Sequence, residues 1–153
     1  MSTAGPVPEQ YLAGDLPGRI ALIAESFERL LGRRLVDTGN DPVRALWEAP
    51  CAILAHGTQP DPVFFFGNRY ALDAFECDVA DFIRMPSRLS AEAPLREERQ
   101  ALLDRVTQEG FIEDYSGVRI TATGRRFPIE NAIVWNLVEK AGSCAGQAAM
   151  FVL

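Results

Sequence analysis

The chain predicts an α+β domain built on a single antiparallel sheet with its helices laid against it. Three observations carry that prediction. An amphipathic stretch near the start has helical spacing, two short apolar runs precede a helical middle, and the last third reads as three strands between turns. A length of 153 residues fits one domain with a core of its own, and 48% hydrophobic against 24% charged residues is an ordinary globular balance.

The elements follow in order. Residues 1–16 carry Gly5, Pro6, Pro8 and Gly14 without apolar periodicity, and read as a mobile arm before a single domain over 17–153. From Pro17 to Leu31, Ile20, Ile23, Ala24, Phe27, Leu30 and Leu31 fall on one helical stripe, and Gly32 ends it. A shorter helix is predicted over Pro42–Glu48, with Asp41 as cap and Pro50 as stop. Ala52–His56 and Val63–Gly67 are strand-like, joined by a turn at Gly57–Pro62. Asn68 caps a helix carrying Ala71, Leu72 and Phe75, and Asp78 caps a further turn carrying Val79, Phe82 and Ile83. Pro94 opens a longer helix with Leu95, Leu102, Leu103 and Val106 on one stripe, closed by Gly110. Strands are predicted over Gly110–Thr123, Arg125–Val138 and Ser143–Val152. In the second of these, Phe127, Ile129, Asn131, Ile133, Trp135 and Leu137 alternate, which places all six on one inward face.

Charge and motifs exclude more than they assign. The net charge of −6 argues against a nucleic-acid groove. Cys51, Cys77 and Cys144 lie far apart, and with His56 as the single histidine they give no metal-ligand spacing. No apolar run reaches membrane-spanning length, and the first ten residues lack a basic start, so the reading is a cytoplasmic protein with reduced thiols. Gly142-Ser143-Cys144-Ala145-Gly146 mimics a nucleophile elbow, but it lies within a predicted strand and no histidine follows it. No catalytic residues are assigned, and the chain is not read as an enzyme.

The order of residues resembles the MEKHLA domain family. The resemblance is carried by Ala49-Pro50 through His56-Gly57, by Asp61-Pro62, and by Gly67-Asn68-Arg69-Tyr70-Ala71-Leu72-Asp73-Ala74-Phe75-Glu76. It continues through Met85-Pro86-Ser87-Arg88-Leu89-Ser90-Ala91-Glu92, Gly110-Phe111-Ile112 and Tyr115-Ser116-Gly117-Val118-Arg119-Ile120. It closes with Gly124-Arg125-Arg126-Phe127, Ala132-Ile133-Val134-Trp135-Asn136 and Gly146-Gln147-Ala148-Ala149, so that it covers about residues 20–152. The family occurs as stand-alone bacterial and algal proteins and closes certain plant homeodomain–leucine zipper transcription factors. The resemblance implies a PAS-like fold, a five-stranded antiparallel sheet enclosing a pocket against short helices, with a sensory or regulatory role. It leaves the cofactor unknown. Flavin-binding PAS light sensors carry an Asn-Cys-Arg triplet that this chain lacks, although Gln147 resembles the glutamine facing their flavin. Haem-binding members take an axial histidine from the middle helices, where none stands. Haem and flavin are therefore not expected.

The candidate ligand site is drawn from these readings. Asn131, among apolar neighbours on the inward face, needs a partner, which is either another protein group or a ligand in a polar pocket with Trp135 and Gln147. Arg88 and Ser90 either clamp a carboxylate or tie a loop to the sheet. His56 and Arg119 line the same cavity; Asn68 either joins them or only caps its helix. The Pro17–Leu31 helix either packs on its own sheet or forms a homodimer with a twin. Two other readings compete. One is a small enzyme on a cone-shaped fold like that of nuclear transport factor 2, with His56 and Asp61 as acid and base, which requires the acid inside a deep cavity. The other is a ligand-free interaction scaffold with a filled core.

Overall fold

The computed structural model describes residues 5–91 and 96–153, with the side chains of residues 96 and 99 left aside. Helix α1 spans Leu16–Leu31 and α2 spans Pro42–Glu48. Strands β1 (Ala52–His56) and β2 (Phe64–Gly67) come next, then α3 (Arg69–Phe75), α4 (Val79–Phe82) and a 3₁₀ turn at Ser87–Ser90. Helix α5 (Arg96–Glu109) leads into β3 (Phe111–Ile120), β4 (Arg126–Val138) and β5 (Cys144–Phe151). The predicted positions Glu92, Pro94 and Leu95 lie outside the described residues.

The five strands form one sheet in the order β2-β1-β5-β4-β3, and every neighbouring pair is antiparallel. Strand β5, last in sequence, is central because its small residues fit between β1 and β4. At Gly146, with φ +139°, an added Cβ would run into the His56 carbonyl, so only glycine lets the two backbones approach there.

The caps foreseen in the sequence form. Asp41, Asn68 and Asp78 accept the backbone N–H groups of Arg44, Ala71 and Asp81, and Gly32 closes α1 in the left-handed conformation. Asn68 does more than cap. Its fully buried amide also accepts from Ile53 N and donates to the carbonyls of Leu46 and Cys51 at 2.9 and 2.8 Å. One side chain thus joins α2, β1 and α3, with its donors and acceptors all engaged.

Both faces of the sheet are covered. Helix α1 buries Ile20, Ile23 and Phe27, and Phe27 meets Trp135 edge-on at 4.9 Å. Helix α5 lays Leu102 and Val106 on Ile112 and Val134 of the opposite face, while Phe75 of α3 meets Phe127 and Phe151 edge-on. The α1 stripe thus packs on its own sheet through Ile20, Ile23 and Phe27, with Leu30 and Leu31 half-buried at its end. Polar ties fix it there: Ser26 Oγ accepts from Val138 N at 2.9 Å, and Arg29 donates to the Val138 carbonyl at 2.8 Å.

Two readings of the sequence need correction here. The arm predicted over residues 1–16 does not include Tyr11, which sits fully buried in a 3₁₀ turn at Glu9–Leu12. Its ring lies 4.8 Å from Phe66, and its hydroxyl both donates to Gly67 O and accepts from Gly67 N. Without heptad or strand partners in sequence, a single aromatic among prolines and glycines gives no periodic signal.

The second correction concerns β4. Its alternation breaks at Asn131, which adopts φ +54° and is exposed. Tyr115 faces Ala132 and Gly117 faces Ile129, so Ser116 stands opposite two residues, Glu130 and Asn131. That is a β-bulge, and asparagine tolerates its left-handed position. Every later side chain changes face: Phe127 and Ile129 share a face with Ala132, Val134 and Asn136, whereas Ile133, Trp135 and Leu137 turn to α1.

Candidate functional site

The α5-covered face carries a partly open cavity of about 50 Å³. Leu54, Phe75, Ile129, Val134 and Phe151 supply apolar walls, and His56, Ser90, Tyr115, Arg119 and Gln147 bring polar groups to it. The cross-strand register explains why these residues meet. His56 pairs with Gln147 and Gln147 with Asn136, forming one polar row across β1, β5 and β4; Leu54, Ala149 and Val134 form the next, apolar row.

The polar row is tied to the helix above it. Gln147 Nε2 lies 3.1 Å from Leu103 O, 3.0 Å from Thr107 Oγ1 and 3.1 Å from Asn136 Oδ1. Asn136 Nδ2 donates to Val106 O at 3.0 Å. Two sheet amides therefore hold consecutive turns of α5, one of them from the cavity wall. His56 is 8% exposed, and its Nδ1 donates to Gly57 O at 3.0 Å, which places the ring proton on that nitrogen. Ser90 Oγ donates to Ser87 O at 2.6 Å.

Arg119 is the cationic member of the wall. Its guanidinium carbon lies 5.2 Å from the centre of the Tyr115 ring. Burial pushes its pKa below the usual arginine range, with the Tyr115 hydroxyl acting in the opposite sense. Tyr115 folds back over Gly117, where any Cβ would collide with its ring and hydroxyl.

Of the predicted site residues, the structure brings His56, Ser90, Arg119 and Gln147 to one cavity. It separates the other three. Asn131 is exposed at the bulge, for the reason given above. Trp135 faces α1, donating from Nε1 to Ile23 O at 3.1 Å, because the bulge reverses its parity relative to Ile129. Arg88 reaches outward and holds Asp61, its Nε 3.1 Å from each carboxylate oxygen, with both side chains about half exposed. The pair ties one loop to another, whereas the expected alternative to a carboxylate clamp is a tie from loop to sheet. Asp61 is thus half exposed and ion-paired to Arg88, whereas the cone-fold alternative needs it inside the cavity.

Tyr115 and Asn136 were missed. Asn136 sits in an even position of β4 that uninterrupted alternation turns outward, and Tyr115 lies in a strand with two register shifts and no clean period. Among the described residues, no group of histidine, cysteine and carboxylate side chains is arranged to hold a metal, and no helix is long and apolar enough to cross a membrane.

A five-stranded antiparallel sheet in this order, with helices covering a cavity on one face, defines a PAS-like domain. Solved structures share the fold. A PAS domain from Colwellia psychrerythraea superposes with a TM-score of 0.60 at 14% identity, covering 71% of this chain and 89% of that one. An RNA-binding light-oxygen-voltage receptor gives 0.60 at 18% identity, covering 71% of this chain and 31% of the other. The Ile-to-Val variant of Vivid gives 0.54 at 13% identity, over 67% of this chain and 81% of that chain.

Within that class, the model of the MEKHLA domain family matches residues 18–153, and the chain belongs to this family. The homeobox-leucine zipper protein REVOLUTA of Arabidopsis thaliana is 27% identical over 120 residues, which is 75% of this chain and 14% of the relative. ATHB-14 of the same plant is 28% identical over 125 residues, and HOX29 of Oryza sativa subsp. indica is 26% identical over 129, each match spanning 80% of this chain and 15% of the relative. The chain thus spans about one seventh of the length of these curated relatives.

Proposed function

We propose that this domain is a sensory and regulatory module in which a small molecule in the sheet–helix cavity sets how α5 lies on the sheet. One observation carries the reading: Gln147 forms part of the cavity wall and also grips α5 through Leu103 O and Thr107 Oγ1. A ligand that competes for that amide, or pushes on Leu102 and Leu103, changes the seating of the helix. A ligand acts only through its unequal affinity for two states, here α5 held by Gln147 and α5 released from it. Output then passes by association with another protein or domain, as befits a unit whose relatives are far longer chains. The cavity of about 50 Å³ favours a ligand much smaller than a flavin.

The test is a thermal-shift screen of small metabolites followed by hydrogen exchange. A ligand that stabilises the domain should alter amide exchange in Arg96–Glu109 more than in Leu16–Leu31. The proposal fails if no compound stabilises the domain, or if a tight ligand leaves exchange in α5 untouched.

A further inference from the structure

We infer that the cavity takes a short-chain monocarboxylate, with Arg119 receiving the carboxylate and the apolar wall receiving the tail. This rests on the reading of the cavity as a ligand site and adds the chemical class. Among the described residues, the wall contains one cation and no aspartate or glutamate. In a chain of net charge −6, acids are abundant, yet none of the described ones lines this space.

The ion pairs sharpen the contrast. Arg33, Arg44, Arg88, Arg105 and Arg125 each hold a carboxylate within 3.1 Å, all with side chains that are about half exposed. Arg119, more deeply placed, has no carboxylate partner among the described residues. Its recorded neighbour is Tyr115, by ring face and hydroxyl. A guanidinium carries five N–H donors, so one tyrosine leaves most of them to be met by water or an anion. The amide donor on the wall is already committed, since the two hydrogens of Gln147 Nε2 have three acceptors within 3.1 Å. Anion recognition therefore falls to Arg119.

Size and polarity narrow the ligand. A single site in water-sized terms takes roughly 10–15 Å³, so a cavity of about 50 Å³ holds a body of a few heavy atoms. One cation matches one negative charge. Leu54, Phe75, Ile129 and Phe151 suit an alkyl tail rather than further hydroxyls or a second carboxylate. Acetate, propionate and butyrate meet these conditions.

The experiment is calorimetric titration of the full chain with sodium acetate, propionate and butyrate, against propionamide and against sodium chloride at matched ionic strength. Propionate should bind, propionamide should not, and Arg119→Gln should weaken propionate by at least about tenfold. Far-UV circular dichroism checks that the variant is folded. Arg119→Lys, which keeps the charge on a flexible stem, should recover part of the affinity. Equal binding of propionamide and propionate, or undiminished propionate binding by folded Arg119→Gln, overturns the assignment. So does failure of all three acids to bind at millimolar concentration. In each case, a different compound that binds and shifts α5 exchange would leave the sensory reading standing, whereas an empty screen would remove both.

Discussion

Asn131 shows how much one backbone angle decides. Its left-handed conformation absorbs the extra residue of β4 and sends Trp135 to α1 instead of the cavity. Asparagine and glycine tolerate this region, whereas a β-branched residue there is strained. Asn131→Val should therefore lower stability by about 1–2 kcal/mol, with Asn131→Gly close to the parent. Urea denaturation of the two variants checks this, and equal stability of the pair would mean that the bulge does not require a left-handed residue. Arg88 and Arg119 make the same point for side chains. They are one residue type in two of the family motifs, yet Arg88 meets a surface carboxylate and Arg119 a tyrosine at the cavity. Nothing local in the sequence distinguishes them, because Asp61 reaches Arg88 only through the fold.

At the scale of elements, the order of helices and strands was legible because it is written in caps and turns. Asp41, Asn68, Asp78 and Gly32 stand where the helix ends need them. Faces were less legible. Period two assigns a face only while the strand stays regular, and β3 and β4 both shift register, near Glu113-Asp114 and at Glu130-Asn131. His56 and Gln147 were readable because β1 and β5 pair without interruption from Ala52↔Phe151 to His56↔Gln147.

The β3–β4 turn offers a test of a different kind. Glu76, itself left-handed at the end of α3, accepts from Thr123 Oγ1 and from Arg125 Nε at 3.0 Å. Hydrogen bonds from Thr123 first, then Thr121 and Arg125, bring its pKa from 4.5 to about 2. A depressed folded value means that the unfolded chain binds the proton more readily as the pH drops. The stabilisation from Glu76 is thus fully present above about 4.5 and is lost as the pH falls toward about 2. Glu76→Gln should flatten the dependence of the urea midpoint on pH across that window. A slope unchanged from the parent would show that the carboxylate is not held in this way.

For the whole molecule, the question is what closes the sheet. At one margin, Tyr11 satisfies both backbone groups of Gly67, and Phe64 N donates to Met85 O. Tyr11→Phe keeps the ring and removes both bonds, stranding a buried N–H and a buried carbonyl. The expected loss is about 1–3 kcal/mol, read by thermal or urea unfolding, and a variant as stable as the parent would show that the segment before α1 merely rests on the core.

The opposite margin is managed by charge. Successive residues Glu113 and Asp114 at the β3 bulge are met from the two sides of the sheet, by Arg33 just beyond α1 at 2.9 Å and by Arg105 of α5 at 3.9 Å. A neighbouring copy seeking to zip onto this rim would have to part those ions and straighten the kink before its backbone could dock. The domain therefore wears its own guard against fibrous stacking, drawn from α5 and from the turn that follows α1.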